Sequence, residues 1–143
     1  MNISLRTEYS VRALVYMAKK DLNKTTTISE ICKEKNLPQK FIEQLFNKLR
    51  RKKIIKSIRG KYGGYRLNLL PEEITLKAII EAVDDTFFDL FCSSSPKYCE
   101  APNCDTQSLW IHLMDDMSVY FSKITLKNII EEKGIPYDKK LFQ

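Results

Sequence analysis

Between Lys35 and Arg66 the chain changes its hydrophobic period. Ile42, Leu45, Phe46 and Leu49 recur at i, i+3, i+4 and i+7, the stripe of a helix that buries one face. Beyond them Ile54-Ile55-Lys56-Ser57-Ile58-Arg59 is rich in β-branched residues, and Gly60, Gly63 and Gly64 punctuate a turn. Tyr65, Leu67 and Leu69 then alternate with Arg66 and Asn68, the pattern of a half-buried strand. A helix followed at once by a hairpin leaves few folds open. The same segment holds eleven Lys or Arg residues and one acid, Glu43, a local charge of +10 in a chain whose total is +6. The remaining residues carry −4, so the positive charge belongs to this unit. A basic helix joined to a basic hairpin suits a phosphate backbone, where each neutralised phosphate releases counterions.

The preceding residues complete a helix-turn-helix. Val11, Leu14, Val15 and Ala18 predict a first helix over about residues 7 to 20, ended by the polar stretch from Asp21. Thr27 stands three residues before Glu30, the spacing of a capping box, and opens a short helix bearing Ile28, Ile31 and Cys32. Asn36 and Pro38 limit that helix, and Pro38 fits the first turn of the next, where its missing N–H costs nothing. Two short helices with a tight connection, the second basic outward, read as a helix-turn-helix, and the hairpin is its wing. Gln39, Lys40, Glu43, Gln44 and Lys48 lie on outward faces, followed by Arg50 and Arg51. Glu43 and Gln44 are suited to base edges; Lys40, Lys48, Arg50, Arg51 and Lys61 are suited to phosphates. Arg59 and Lys61 are expected at the wing tip, where a minor groove attracts Arg. After Pro71, Leu76, Ile79, Ile80 and Val83 mark another amphipathic helix.

Trp110, Leu113, Met117, Tyr120 and Ile124 recur at steps of three and four, a narrow coiled-coil-type seam. A helix from about residue 105 to 132 would be about 40 Å long, more than a winged helix of this size can cover. Self-pairing into a homodimer is the economical expectation; packing within one chain is the alternative. The fold expected is therefore mainly α with a small β wing. A winged helix-turn-helix domain spans residues 1–84, a cysteine-bearing loop 85–104, and a dimerisation helix with tail 105–143. No apolar run approaches the roughly 20 residues needed to span a bilayer, and the N-terminus lacks a signal peptide's apolar stretch. No membrane partner and a cytoplasmic location are expected. One His and no recognisable nucleophile–base spacing argue against an enzyme.

Cys92, Cys99 and Cys104 lie within thirteen residues as C-x6-C-x4-C, among Ser93, Ser94, Ser95, Lys97, Glu100 and Asn103. Cysteines without a ligand are usually buried, and exposed thiols oxidise readily, so three in one polar loop imply a ligand or a redox role. Structural zinc prefers closer Cys pairs, whereas three widely spaced thiolates suit an iron–sulfur cluster completed by a non-Cys group. Loosely packed thiols remain the alternative. Glu100, Asp105 and His112 are the nearby donors for a fourth position, and Cys32 is most simply a core residue.

The run from Met1 to Leu14, then Phe41-Ile-Glu-Gln-Leu-Phe-Asn-Lys-Leu, Ser57-Ile-Arg-Gly-Lys-Tyr-Gly-Gly-Tyr and Ile79-Ile-Glu-Ala-Val-Asp, resembles the IscR/NsrR-type winged-helix regulators of the Rrf2 family, over nearly the whole chain to about residue 130. The resemblance implies a homodimeric bacterial transcription factor that binds double-stranded DNA at a pseudo-palindromic site. Its cluster, two-iron or four-iron, modulates promoter binding. It implies Cys92, Cys99 and Cys104 as ligands, with Glu8 of the partner subunit's first helix as the fourth. The intervals of six and four depart modestly from the family's, and Gln107 stands where some members carry a His ligand. Lys40, Glu43 and Gln44 match its recognition-helix contacts and Arg59 its minor-groove arginine. Two rivals remain: a metal-free regulator working through its thiols or a partner protein, and a small cluster carrier that would leave the basic segment without a purpose.

Overall fold

The computed structural model describes residues 3–84, 86–87 and 104–132. Ser4 caps the first helix, α1 (Leu5–Ala18), by accepting from the Thr7 amide. Its fully buried face is Thr7, Ser10, Ala13, Leu14 and Met17, while Val11, Val15 and Ala18 pack at the margin. The stripe read from sequence is therefore rotated, because the side of α1 with small residues is the one that crosses the core. Thr27 caps α2 (Ile28–Lys35), and Asn36, left-handed at φ 51°, ends it. Pro38 stands at the cap of α3 (Gln39–Arg51), one place before the first turn. Ile42, Leu45, Phe46 and Leu49 are buried as their spacing requires.

Lys53, at φ 58°, turns the chain into a two-stranded antiparallel hairpin, β1 (Ile55–Ile58) and β2 (Gly64–Leu67), with Ile55 opposite Leu67 and Ile58 opposite Gly64. Thr26 and Tyr65 exchange backbone hydrogen bonds of 2.9 Å, so the wing is tied to the residue before the cap of α2. The Tyr65 ring meets Phe46 of α3 edge-on at 5.0 Å. Thr75 caps α4 (Leu76–Val83), whose Ile79 enters the main core while Ile80 enters a second cluster with Phe121 and Ile124.

The long pattern near the end is not one helix. α5 (Gln107–Lys123) stops where Ile124 turns extended, and α6 (Leu126–Glu131) follows. The Leu76 amide donates to the Ile124 carbonyl and the Leu126 amide to the Ile74 carbonyl, each at 2.8 Å, pairing the two segments where the helices would otherwise join. Thr125 and Asn128 then form a capping box that starts α6, and Leu126 is fully buried. Ile124, placed by its spacing on the dimer seam, is 6% exposed inside its own chain. The Thr125-x-x-Asn128 spacing was the signal for the break.

Glycine at 64 answers two demands. Its φ is 150°, and a Cβ there would stand 2.8 Å from the Thr26 carbonyl oxygen. Gly60 has φ 115° but open space around it. Gly64→Ala should cost about 2–3 kcal/mol in urea unfolding through strain and clash together, and Gly60→Ala about 1 kcal/mol. Equal losses would mean that the approach to Thr26 does not matter.

Candidate nucleic-acid interface

Gln39, Lys40, Glu43, Gln44, Asn47, Arg50 and Arg51 occupy positions i, i+1, i+4, i+5, i+8, i+11 and i+12 of α3, which at 3.6 residues per turn is one face. All are exposed, opposite the buried stripe. The Gln39 amide donates to Glu43 Oε1 at 3.1 Å, and an Arg50 guanidinium nitrogen lies 3.4 Å from Asn47 Oδ1. Asn47, at the centre of the face, was missed in the sequence, although its phase relative to Glu43 and Arg50 marks it.

Lys48 has a partner within the chain. It sits at the edge of this face, half-buried, and its Nζ donates to the Val83 carbonyl at 3.3 Å. Val83 is the last residue of α4, where a cation meets the negative end of the helix dipole. Lys48 therefore ties α3 to α4.

In the wing, the Gly63 amide donates to the Gly60 carbonyl at 2.9 Å. The turn is thus Gly60–Lys61–Tyr62–Gly63, with Lys61 and Tyr62 at its corners and Arg59 exposed one residue before it. The hairpin that carries Arg59 and Lys61 packs on the same core as α3.

Of the proposed metal ligands, Cys92 and Cys99 lie outside the described residues. Cys104 is half-exposed just before α5, its Sγ 3.3 Å from Thr106 Oγ1. Glu8 lies on the outside of α1, 3.5 Å from Arg12, whose guanidinium also donates to the Lys35 carbonyl at the end of α2. His112 is exposed on α5. Among the described residues no three His, Cys, Asp or Glu side chains gather into a metal site. Cys32 is a core residue, as expected; burial pushes its thiol up, and the Glu43 carboxylate adds to the shift, so it stays protonated at neutral pH.

Along α5, Leu109, Trp110 and Leu113 are 58%, 42% and 46% exposed, and Tyr120 is also exposed. Phe121 and Ile124 turn inward, with Met117 packed against them. The seam splits: its end docks on α4 and its beginning remains uncovered. No helix among the described residues is long and apolar enough to cross a membrane.

A family model described as Rrf2, iron-dependent transcriptional regulator, matches residues 3–132. The chain belongs to the Rrf2 family. It is a DNA-binding transcriptional regulator and not an enzyme. It is 28% identical over 135 residues to the HTH-type transcriptional regulator IscR of Aliivibrio salmonicida, covering 94% of this chain and 80% of that protein. It superposes with a TM-score of 0.77 on CymR, described as the global cysteine regulator of B. subtilis, at 28% identity over 94% of this chain and 99% of the other. T. potens IscR shares the fold, with a TM-score of 0.75 at 21% identity over 100% of this chain and 97% of that one.

Lys40 and Lys48 separate the two roles of cations on this regulator. Lys40→Ala should flatten the slope of log affinity against log salt by about 0.9, as loss of one phosphate contact does. Lys48→Ala should leave that slope nearly unchanged and lower the unfolding midpoint. A Lys48 variant that flattens the salt dependence as Lys40→Ala does would return Lys48 to the DNA-facing set.

Proposed function

We propose that the chain is a homodimeric, sequence-specific regulator whose hold on a pseudo-palindromic DNA site follows the state of an iron–sulfur cluster held by Cys92, Cys99 and Cys104. The observation that carries the DNA part is the single exposed face of α3, followed at once by a wing whose tip is cationic. Glu43 can accept from a cytosine amino group, and Gln44 or Asn47 can pair with adenine. Lys40, Arg50, Arg51 and Lys61 hold phosphates and set register, and Arg59 enters the minor groove. Two-fold pairing is supported by the uncovered stretch of α5, and it spaces half-sites by about one helical turn, roughly 34 Å, or a multiple of it.

The residues fit a cluster in two respects. Cys104 is an accessible thiol beside a hydroxyl, not a core residue, and Glu8 is an exposed carboxylate on the outer side of α1. The three thiolates would hold the iron, with Glu8 of the partner subunit as an oxygen donor that binds less tightly and keeps the site labile. When bound, the cluster supplies a centre sensitive to oxidants, nitric oxide and iron supply. The family's description as iron-dependent favours this reading. The half-exposed Cys104 also favours a second one, in which the thiols respond directly and no metal is involved.

Two experiments test the proposal. Leu113→Glu should give folded protein of half the wild-type mass in sedimentation, with the emission of Trp110, the sole tryptophan, shifted to the red. Ile124→Glu should instead abolish cooperative unfolding, since it buries a charge in the α4–α5 cluster. A wild-type chain that sediments as a monomer at micromolar concentration would end the dimer reading. Separately, protein made and purified without oxygen should carry iron, sulfide and visible absorption that substitution of Cys92, Cys99 or Cys104 removes and Cys32→Ala retains. Colourless, iron-free protein from that preparation would promote the thiol reading.

A further inference from the structure

Tyr62 is 81% exposed, more than any other large hydrophobic side chain among the described residues. It is nonetheless fixed in place. It occupies a corner of the four-residue turn closed by the Gly63 amide and the Gly60 carbonyl, and its own carbonyl accepts from Thr25 Oγ1 at 2.7 Å. Three residues further on, Tyr65 exchanges a backbone pair with Thr26. The Lys61 ammonium lies 5.7 Å from its ring centre. Arg59, one residue before the turn, and Lys61, its other corner, are both exposed.

An aromatic ring at the apex of a clamped, cationic turn suits a polyanion with apolar surface recessed between its charges. The DNA minor groove has that form. It is about 6 Å wide, walled by deoxyribose and rimmed by phosphates. A flat ring enters such a groove more readily than a branched side chain, and an apolar contact there adds affinity without releasing counterions.

We propose that Tyr62 is a DNA-contact residue of the wing, laying its ring against the deoxyribose wall of the minor groove that Arg59 enters, while Lys61 engages a flanking phosphate. The inference rests on the DNA-binding reading and adds a contact of different physical character. Arg59 and Lys61 act through charge; Tyr62 acts through surface.

Salt dependence separates the two. Binding of the purified full chain to a mixed-sequence DNA duplex is followed by anisotropy over a series of salt concentrations. Tyr62→Ala should weaken binding by about five- to tenfold at every salt concentration while leaving the slope of log affinity against log salt unchanged. Tyr62→Phe, which keeps the ring, should bind as wild type does, and Lys61→Ala should flatten the slope by about 0.9. Tyr62→Ala removes no core contact, so its unfolding midpoint should match the wild type. Wild-type affinity in Tyr62→Ala would overturn the proposal. So would a flattened slope in that variant, since the ring would then serve only to hold Lys61. Wild-type protein that binds no duplex would instead remove the DNA-binding reading, and this contact with it.

Discussion

Tyr65 is the residue on which the reading surface depends. Its backbone pairs with Thr26, one residue before the cap of α2, and its ring packs edge-on against Phe46 in the buried stripe of α3. A two-stranded hairpin alone is marginally stable in water. Here it is held on one side by two hydrogen bonds and on the other by the core beneath α3. Gly64 makes that possible, because any Cβ there would meet the Thr26 carbonyl oxygen. The wing tip and the exposed face of α3 consequently keep one geometry, and ordering them on DNA costs little additional entropy.

Much of this was legible from residue types alone. The stripe from Ile42 to Leu49, the Thr27 cap, the stop at Asn36 and the glycine-marked hairpin are local features, and local rules suffice for them. The break at Ile124 was not read, because the helical period continues through it. What interrupts α5 is a pairing with Ile74 and Leu76, about fifty positions earlier in the chain, which a period cannot reveal. The bond from Lys48 to the end of α4 was not legible for a related reason: what a lysine at the edge of a helix meets depends on what lies beside it. Tyr62 stood in the expected turn, but only the closure between Gly60 and Gly63 shows that it takes an exposed corner.

α4 joins the parts that the proposed function needs. Ile79 and Ile80, adjacent in sequence, enter different apolar clusters, one containing the α3 stripe and the other the end of α5. Lys48 holds the last carbonyl of α4 from the recognition helix. The cysteine-bearing segment leaves from the end of this helix and returns at Cys104, immediately before α5, which docks back onto α4 through Phe121 and Ile124. Both ends of that segment are thus anchored on elements that touch each other. On the proposed reading, a change of state in the segment acts on the α4–α5 contact, one packing layer from α3.

On the proposed reading, Glu43 gives the cationic surface its discrimination. It is the one acid in a segment of eleven bases, and it stands on the outward face of α3 one turn before Asn47, held by the Gln39 amide. A carboxylate there is repelled by the phosphates that its neighbours attract, so it lowers affinity for any DNA that offers it no donor. Only a base edge with an amino group, such as cytosine N4, offsets that repulsion with a hydrogen bond. The cations supply attraction to every duplex alike, whereas the lone acid penalises the wrong ones, and specificity is a difference between affinities. A face built from bases alone would bind more tightly and distinguish less.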